Sequence, residues 1–187
     1  MDKTAQMAAL RAEIGDCIRC GLCEGRTQIV FGTGDLSAKL MFIGEAPGFD
    51  EDRQGEPFVG AAGQLLNKMI AAMGLRREEV YIANIIKCRP PNNRDPFPDE
   101  MDTCKPFLLK QVEIIQPKVI CTLGRFSAQN LLGVTTSITR LRGKWYRYQD
   151  IPLMPTFHPA YLLRNPQDKK LVWHDMQMIM AELKKYQ

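Results

Sequence analysis

Three kinds of side chain in this 187-residue sequence stand in patterns that could do chemistry. The first is a carboxylate. Residues 39–48 read KLMFIGEAPG, an apolar run that stops at Gly44-Glu45-Ala46-Pro47-Gly48. Positions 40–43 suit a buried strand, while Gly44, Pro47 and Gly48 permit a tight turn and close approach of backbone to a ligand. Glu45 is the only charge in that loop, so the pattern either delivers a carboxylate to a binding crevice or makes an ordinary strand-to-helix turn with a solvated Glu. The second kind is thiol. Six cysteines in a chain with no secretory leader pattern point to metal or redox chemistry before a disulfide framework. Cys17, Cys20 and Cys23 form C-x2-C-x2-C, which opens like a bacterial ferredoxin run but lacks the C-x3-C-P element that would complete it. Cys88 and Cys104 bracket CRPPNNRDPFPDEMDTC, and Cys121 sits inside the apolar run KVICTLG, where a free thiol packs as a small core residue. Four or five thiols are left for a tetrahedral set. The third kind is imidazole: of two histidines, His158 follows an apolar run and His174 lies in a helical one.

These residues need a scaffold, and the apolar pattern supplies one. Four short runs at 40–43, 80–85, 119–123 and 153–157 read as strands. Helical spacing fills the gaps at 61–73, 101–115, 125–132 and 169–185, with the methionines of the last segment read as core. Strand and helix alternate, which predicts a three-layer α/β/α sandwich around a central, mainly parallel four-stranded sheet, in one domain spanning 1–187. In such sheets ligands bind beyond the carboxyl ends of the strands. Each predicted end carries something polar: Glu45, Asn84, Gly124-Arg125 and His158-Pro159. A fold that needed only turns would not require Glu, Asn and His at those places.

Composition narrows the class. With 45% hydrophobic and 25% charged residues the chain has enough volume for a proper core. No stretch approaches the run of about eighteen apolar residues that spans a bilayer, so no membrane association and a cytoplasmic location are expected. A net charge of +4 permits a polyanionic partner. Basic residues gather at Lys87, Arg89 and Arg94, at Arg140, Arg142, Lys144 and Arg147, and at Arg164, Lys169 and Lys170; each group alone reads as a solvated loop. Nothing in the chain demands more than a monomer. The Pro-rich stretch 89–98 is the one long irregular segment, and its bracketing by two cysteines marks it as functional.

Taken together, GEAPGFDED, QGEPFVGAAGQLL, NIIKCRPPNNR and HPAYLLRNP, with CIRC near the N-terminus, resemble the family 4 uracil-DNA glycosylases, the iron-sulfur branch of that superfamily. The resemblance runs from Cys17 to about Asp175, and its specificity lies in the order and spacing of the motifs. It implies removal of uracil from single- and double-stranded DNA by base flipping and hydrolysis of the N-glycosidic bond. It also implies a [4Fe-4S] cluster on Cys17, Cys20, Cys88 and Cys104, with no ligand role for Cys23. That cluster would clip the N-terminal segment to both ends of the Pro-rich loop, as a brace. A zinc site is the alternative that thiolates alone would support.

The same resemblance implies a uracil pocket of Glu45, Ala46, Pro47, Phe58, Asn84 and His158. Phe58 would stack on the extruded base, as flipped bases are commonly held. Asn84 would pair with its polar edge, an amide offering both donor and acceptor. His158, heading a loop like the superfamily's HPSPL, would donate to uracil O2 as the bond breaks. His158, Glu45 and Asn84 are thus the catalytic candidates. Leu162 falls at the place of a leucine that wedges into the opened duplex, with Leu163 beside it, and Arg164, Arg140 and Arg142 become phosphate contacts.

Two departures stand out. Family 1 enzymes carry GQDPYH, whose Asp positions water and whose Tyr excludes thymine; here Ala46 and Gly48 hold those places. Glu45 is then the candidate for orienting water, and Glu51 stands as a second carboxylate or a thymine-excluding group. Of the rivals, a family 5 glycosylase is disfavoured by Glu45 and Asn84. The branch that traps abasic DNA is disfavoured by the lack of histidine in residues 135–145. A redox-responsive iron-sulfur protein that binds nucleic acid without catalysis is the reading from another class.

Overall fold

A computed structural model describes residues 2–187. The chain opens with helix α1 (Lys3–Ile14), whose first turn is capped by Asp2. Strands β1 (Thr33–Gly34) and β2 (Leu40–Gly44) follow, then the short helix α2 (Phe49–Gln54) and helix α3 (Ala61–Ala72). Strand β3 (Tyr81–Asn84) leads through the Pro-rich loop into the long helix α4 (Pro98–Ile115). Next come β4 (Val119–Leu123), α5 (Arg125–Leu132) and the single turn α6 (Ile138–Leu141). Strands β5 (Tyr146–Tyr148) and β6 (Ile151–Thr156), a short helix α7 (Pro159–Arg164) and helix α8 (Lys169–Leu183) complete the chain.

The strands form one sheet in the order β1-β3-β2-β4-β6-β5, and β3, β2, β4 and β6 run parallel. Every residue of β2, β3 and β4 is buried, as expected of strands covered on both faces. Alternation divides them between two cores. Met41 and Ile43 face the α1 and α4 side with Met7, Leu10, Leu108 and Val112. Leu40, Phe42 and Cys121 face Leu66 and Ile70 of α3 and Val172, Met176 and Ile179 of α8. Phe42 pairs with Cys121, and Cys121 with Met154, so the thiol read as a core residue lies at the centre of the sheet.

The α/β layering and the parallel core agree with expectation, but the sheet has six strands, not four. The two additions are antiparallel edge strands, β1 of two residues and β5 of three. Neither carries an apolar run: β1 is Thr-Gly, and β5 is Tyr-Arg-Tyr inside a basic segment. Their pairing is set by the neighbouring strand, which no local pattern records. Helix α4 also begins three residues earlier than its apolar spacing suggests. Pro98 takes the first turn and the Glu100 carboxylate accepts the Phe97 N–H at 2.8 Å, the return half of a capping box, since the Phe97 side chain has no acceptor to complete it. Among the described residues no helix is long and apolar enough to cross a membrane.

The carboxyl end of β6 is anchored from below. Asp175 of α8 is fully buried, accepts from the Thr156 hydroxyl at 2.7 Å and pairs with the Arg142 guanidinium through both oxygens. That triad ties α8, the end of α6 and β6 together two residues before His158. Asp175→Ala leaves the half-buried Arg142 without its counter-charge and is expected to lower unfolding free energy by about 3 kcal/mol. Urea denaturation checks this, and an unchanged midpoint would remove Asp175 as an anchor.

Candidate functional site

The strand ends open into one crevice. Its lining includes Glu45, Ala46, Pro47, Phe58, Asn84, Gly124, Arg125, His158, Leu163 and Arg164, so all six residues expected in the pocket meet there. Parallel strands explain the convergence: β2, β3, β4 and β6 all finish on the same side of the sheet.

Asn84 is the floor. It is 2% exposed, and its Oδ1 has no hydrogen-bond partner among the described residues. Leaving a buried amide oxygen unpaired costs about 1–3 kcal/mol, so the atom is set out for something else to donate to it. Beside it lies the Phe58 ring. A Cβ on Gly44 would fall 2.4 Å from Asn84 Oδ1 and 2.7 Å from that ring, so only glycine lets the two meet over the end of β2.

Phe58 is held there against its backbone preference. Its φ is +53°, a left-handed conformation that costs a bulky residue of order 1–3 kcal/mol. Three devices keep it. Arg77 donates to the carbonyls of Pro57 and Phe58 and to Asn67 Oδ1. Gly63 of α3 admits the Phe58 carbonyl, which would lie 1.9 Å from any Cβ there. Glu51 accepts the N–H groups of Val59 and Gly60 with one oxygen and that of Gly48 with the other, at 2.8–3.0 Å. Both Glu51 oxygens are therefore spent on the two loops. This corrects the reading of Glu51 as a second carboxylate for chemistry or thymine exclusion: it is the clamp between GEAPG and FVG.

His158 stacks on Phe58 with ring centroids 5.5 Å apart and planes 30° apart. It also caps α7, its Nδ1 accepting the Ala160 N–H at 3.0 Å. An Nδ1 used as acceptor places the proton of the neutral ring on Nε2, which leaves that N–H as a donor. Burial and the nearby Arg164 charge hold the ring's pKa down to about 4, so it is neutral at pH 7. Glu45 is shifted the other way. Burial, reinforced by Asp95 and partly offset by Arg125, raises its carboxyl to about 7. Sequence reading missed Asp95 and Arg77. Asp95 lies inside the Pro-rich loop with no periodicity, and Arg77 acts through backbone carbonyls, which leave no mark in a sequence.

The loop after β6 sorts the remaining expectations. Leu162 is 1% exposed and packs in the α3 and α8 core, which corrects its assignment as a wedge; Leu163, one residue on, is 47% exposed and lines the crevice. A helix turns 100° per residue, so only one of the pair can face out. Arg142 is corrected as well, because its guanidinium is committed to Asp175. Arg164 lines the crevice; Arg140 is exposed on α6, outside it.

A second cavity is lined by Cys17, Cys20, Cys88 and Cys104, with Ile14, Leu22, Ile29 and Phe107 around them. Cys23 is not among its walls. The sulfurs surround a space and do not converge on one point: among the described residues no trio of Cys, His, Asp or Glu is set for a single metal ion. Donors point at them. Arg19 reaches Cys17 Sγ at 3.3 Å, Arg26 reaches Cys88 Sγ at 3.4 Å, and the Lys87 N–H reaches Cys104 Sγ at 3.3 Å. Lys87, read as part of a solvated basic loop, is in fact 2% exposed. Its ammonium donates to Phe31 O, Asn84 O and Gln111 Oε1, bracing the floor residue from behind.

A family model described as "Uracil DNA glycosylase superfamily" matches residues 31–177. The chain is 50% identical over 163 residues to a type-4 uracil-DNA glycosylase of Archaeoglobus fulgidus, covering 83% of this chain and 82% of the relative. It is 46% identical over 179 residues to that of Sulfurisphaera tokodaii, covering 91% and 81%. With the Thermotoga maritima protein of the same name the identity is 43% over 185 residues, covering 96% and 95%.

The Glu45 environment makes a pH signature. The folded chain keeps this proton up to about pH 7, whereas the unfolded chain releases it near 4.5. More protons are bound in the folded state across that window, so stability falls as pH rises through it. Glu45→Gln should remove a part of that fall on the order of 2 kcal/mol, read from urea unfolding across the pH range. Identical pH slopes in the two proteins would show that Glu45 titrates as an ordinary carboxylate.

Proposed function

The chain belongs to the uracil DNA glycosylase superfamily, alongside its type-4 members, and from that premise we propose that it acts on uracil in DNA. It flips the base from single- or double-stranded DNA into the crevice and hydrolyses the N-glycosidic bond, leaving an abasic site for base excision repair. The observation that carries this reading is the unpartnered, buried Oδ1 of Asn84. Uracil presents an N3–H donor beside an O4 acceptor, and one amide answers both. Cytosine has an unprotonated N3 beside a 4-amino group, and would leave the pairing mismatched on both atoms.

The remaining residues take roles that their environments support. Breaking the bond leaves negative charge on uracil O2 and positive charge on the sugar. His158, neutral with its proton on Nε2, donates to O2 and stabilises the leaving anion without giving up a proton. A neutral ring also adds no positive charge close to the cationic sugar. Phe58 supplies the stacking face. Glu45, titrating near neutrality, orients the attacking water when ionised, in the place where family 1 uses the carboxylate that Ala46 lacks. Leu163 takes the wedge position, and Arg164 and the exposed Arg140 contact phosphate.

Cys17, Cys20, Cys88 and Cys104 would hold a [4Fe-4S] cluster, which would supply a structural brace between the N-terminal segment and the Pro-rich loop. Their N–H donors suit the net negative charge of a cluster with four thiolates. The protein is read as one domain that works as a monomer in the cytoplasm, where thiols stay reduced; none of its six cysteines is paired in a disulfide.

Oligonucleotides carrying one uracil, followed by alkaline cleavage at abasic sites, test the activity; no uracil-dependent cleavage by wild-type protein would sink it. His158→Ala should slow single-turnover excision by roughly 100- to 1,000-fold with the fold retained. The wild-type rate should rise with pH to a plateau through about 7, a limb absent in Glu45→Gln. An additional limb near the ordinary histidine value of about 6.5, lost in His158→Ala, would contradict a neutral imidazole. For the cofactor, iron and sulfide should occur in equal amounts and both disappear in Cys88→Ser; zinc without sulfide would overturn the cluster.

A further inference from the structure

Two exposed aromatic rings stand at the rim of the crevice, apart from the six residues assigned to the uracil pocket. Phe49, the first residue of α2, is 53% exposed and itself lines the crevice. Phe97, at the N-terminus of α4, is 52% exposed and follows Arg94 and Asp95, both of which line it. With Leu163 they are three of the six large apolar side chains exposed among the described residues. Exposed aromatic surface is unfavourable in a free protein, and its gathering around one opening marks a contact surface.

Each ring is built in with guanidinium groups. The guanidinium carbon of Arg53 lies 5.5 Å from the centroid of the Phe49 ring and that of Arg89 lies 5.3 Å from it. Arg89 also donates to Asn93 Oδ1, and no carboxylate pairs with either arginine among the described residues. Arg94 sits 3.7 Å from the Phe97 centroid and is pinned there by both oxygens of the buried Glu100, which also holds the Phe97 N–H. Phe97 is therefore a pre-set ring backed by a fixed cation, and Phe49 is a ring beside two cations free to take phosphate. Aromatic faces interleaved with arginine are how proteins hold unpaired nucleotides: bases stack on the rings and guanidiniums track the backbone. Duplex bases are stacked on one another and offer no such faces.

We propose that Phe49, with Arg53 and Arg89, and Phe97, with Arg94, form a stacking platform for unpaired nucleotides flanking the flipped base, so that the enzyme holds single-stranded DNA beyond the uracil itself. The occupant is a DNA strand, which rests on the glycosylase reading, but the platform is independent of the base in the pocket.

Fluorescence anisotropy with a labelled oligothymidylate containing no uracil tests it, using the intact protein. Phe49→Ala and Phe97→Ala should each weaken binding roughly fivefold or more, and Phe49→Trp should preserve it. Phe49→Leu should lose as much as Phe49→Ala; retention by leucine would show that apolar contact suffices and would overturn stacking. Arg53→Gln should lower the slope of log affinity against log salt by about 0.7, as one lost phosphate contact. The same substitutions should weaken duplex binding less; equal losses on duplex, or none on the single strand, would overturn the platform. Failure of wild type to excise uracil would remove the glycosylase reading while leaving the uracil-free measurement decisive for the platform.

Discussion

An amide oxygen left without a partner at the bottom of the crevice is the constraint around which the rest of this structure is arranged. Burying Asn84 Oδ1 unpaired is unfavourable, and the fold bears that cost only because the residue cannot relax. Lys87 holds the Asn84 carbonyl from behind, β2 holds its backbone alongside, and the Phe58 ring closes over Gly44 beside it. Phe58 is in turn kept in an unfavourable backbone conformation by Arg77, Gly63 and Glu51. Two unfavourable local states, an unpaired polar atom and a left-handed phenylalanine, are thus stabilised by one set of contacts. A planar base with an N–H, in the reading proposed above, would satisfy the first; the second holds the ring in place for it.

Electrostatics divides the labour inside the crevice. Burial penalises charge on both His158 and Glu45, but it moves their pKa values in opposite directions because one is a base and the other an acid. His158 ends neutral with its Nε2–H left as a donor, while Glu45 sits near neutrality and can gain or lose a proton. The two thiol-bearing ends of the Pro-rich loop lie behind this site, so bracing that loop also braces Asn84 through Lys87, whose N–H meets Cys104 and whose ammonium meets the Asn84 carbonyl. The distance from the cysteine-lined cavity to the floor of the crevice is bridged by one residue.

Much of the architecture was legible in the sequence. Four apolar runs became the four parallel strands, since burial on both faces forces continuous apolar stretches that need no partner to be recognised. The edge strands β1 and β5 were not legible, because they exist only as pairings with a neighbour. Glu45, Asn84 and His158 were legible for the same reason as the strands they terminate: each is a polar residue placed where an apolar run stops. Phe58 and the cysteine quartet rested on resemblance, and the structure brings the first into the crevice and the second around one cavity.

Which residues end the strands, and therefore which side chains share a crevice, is written in the chain itself, because parallel strands all finish on one side. The partner of each charge and the exposure of each leucine there are set by packing. Glu51 looked like a reactive carboxylate and proved to accept three backbone N–H groups; Arg142 looked like a phosphate contact and is paired with the buried Asp175. Lys87 looked solvated and is enclosed, and of the two leucines offered as a wedge Leu162 is buried while Leu163 is exposed. The physical reason is common to all four. Strand and helix are written in local periodicity, whereas the state of a polar group depends on partners distant in sequence, whose approach only the packed chain sets.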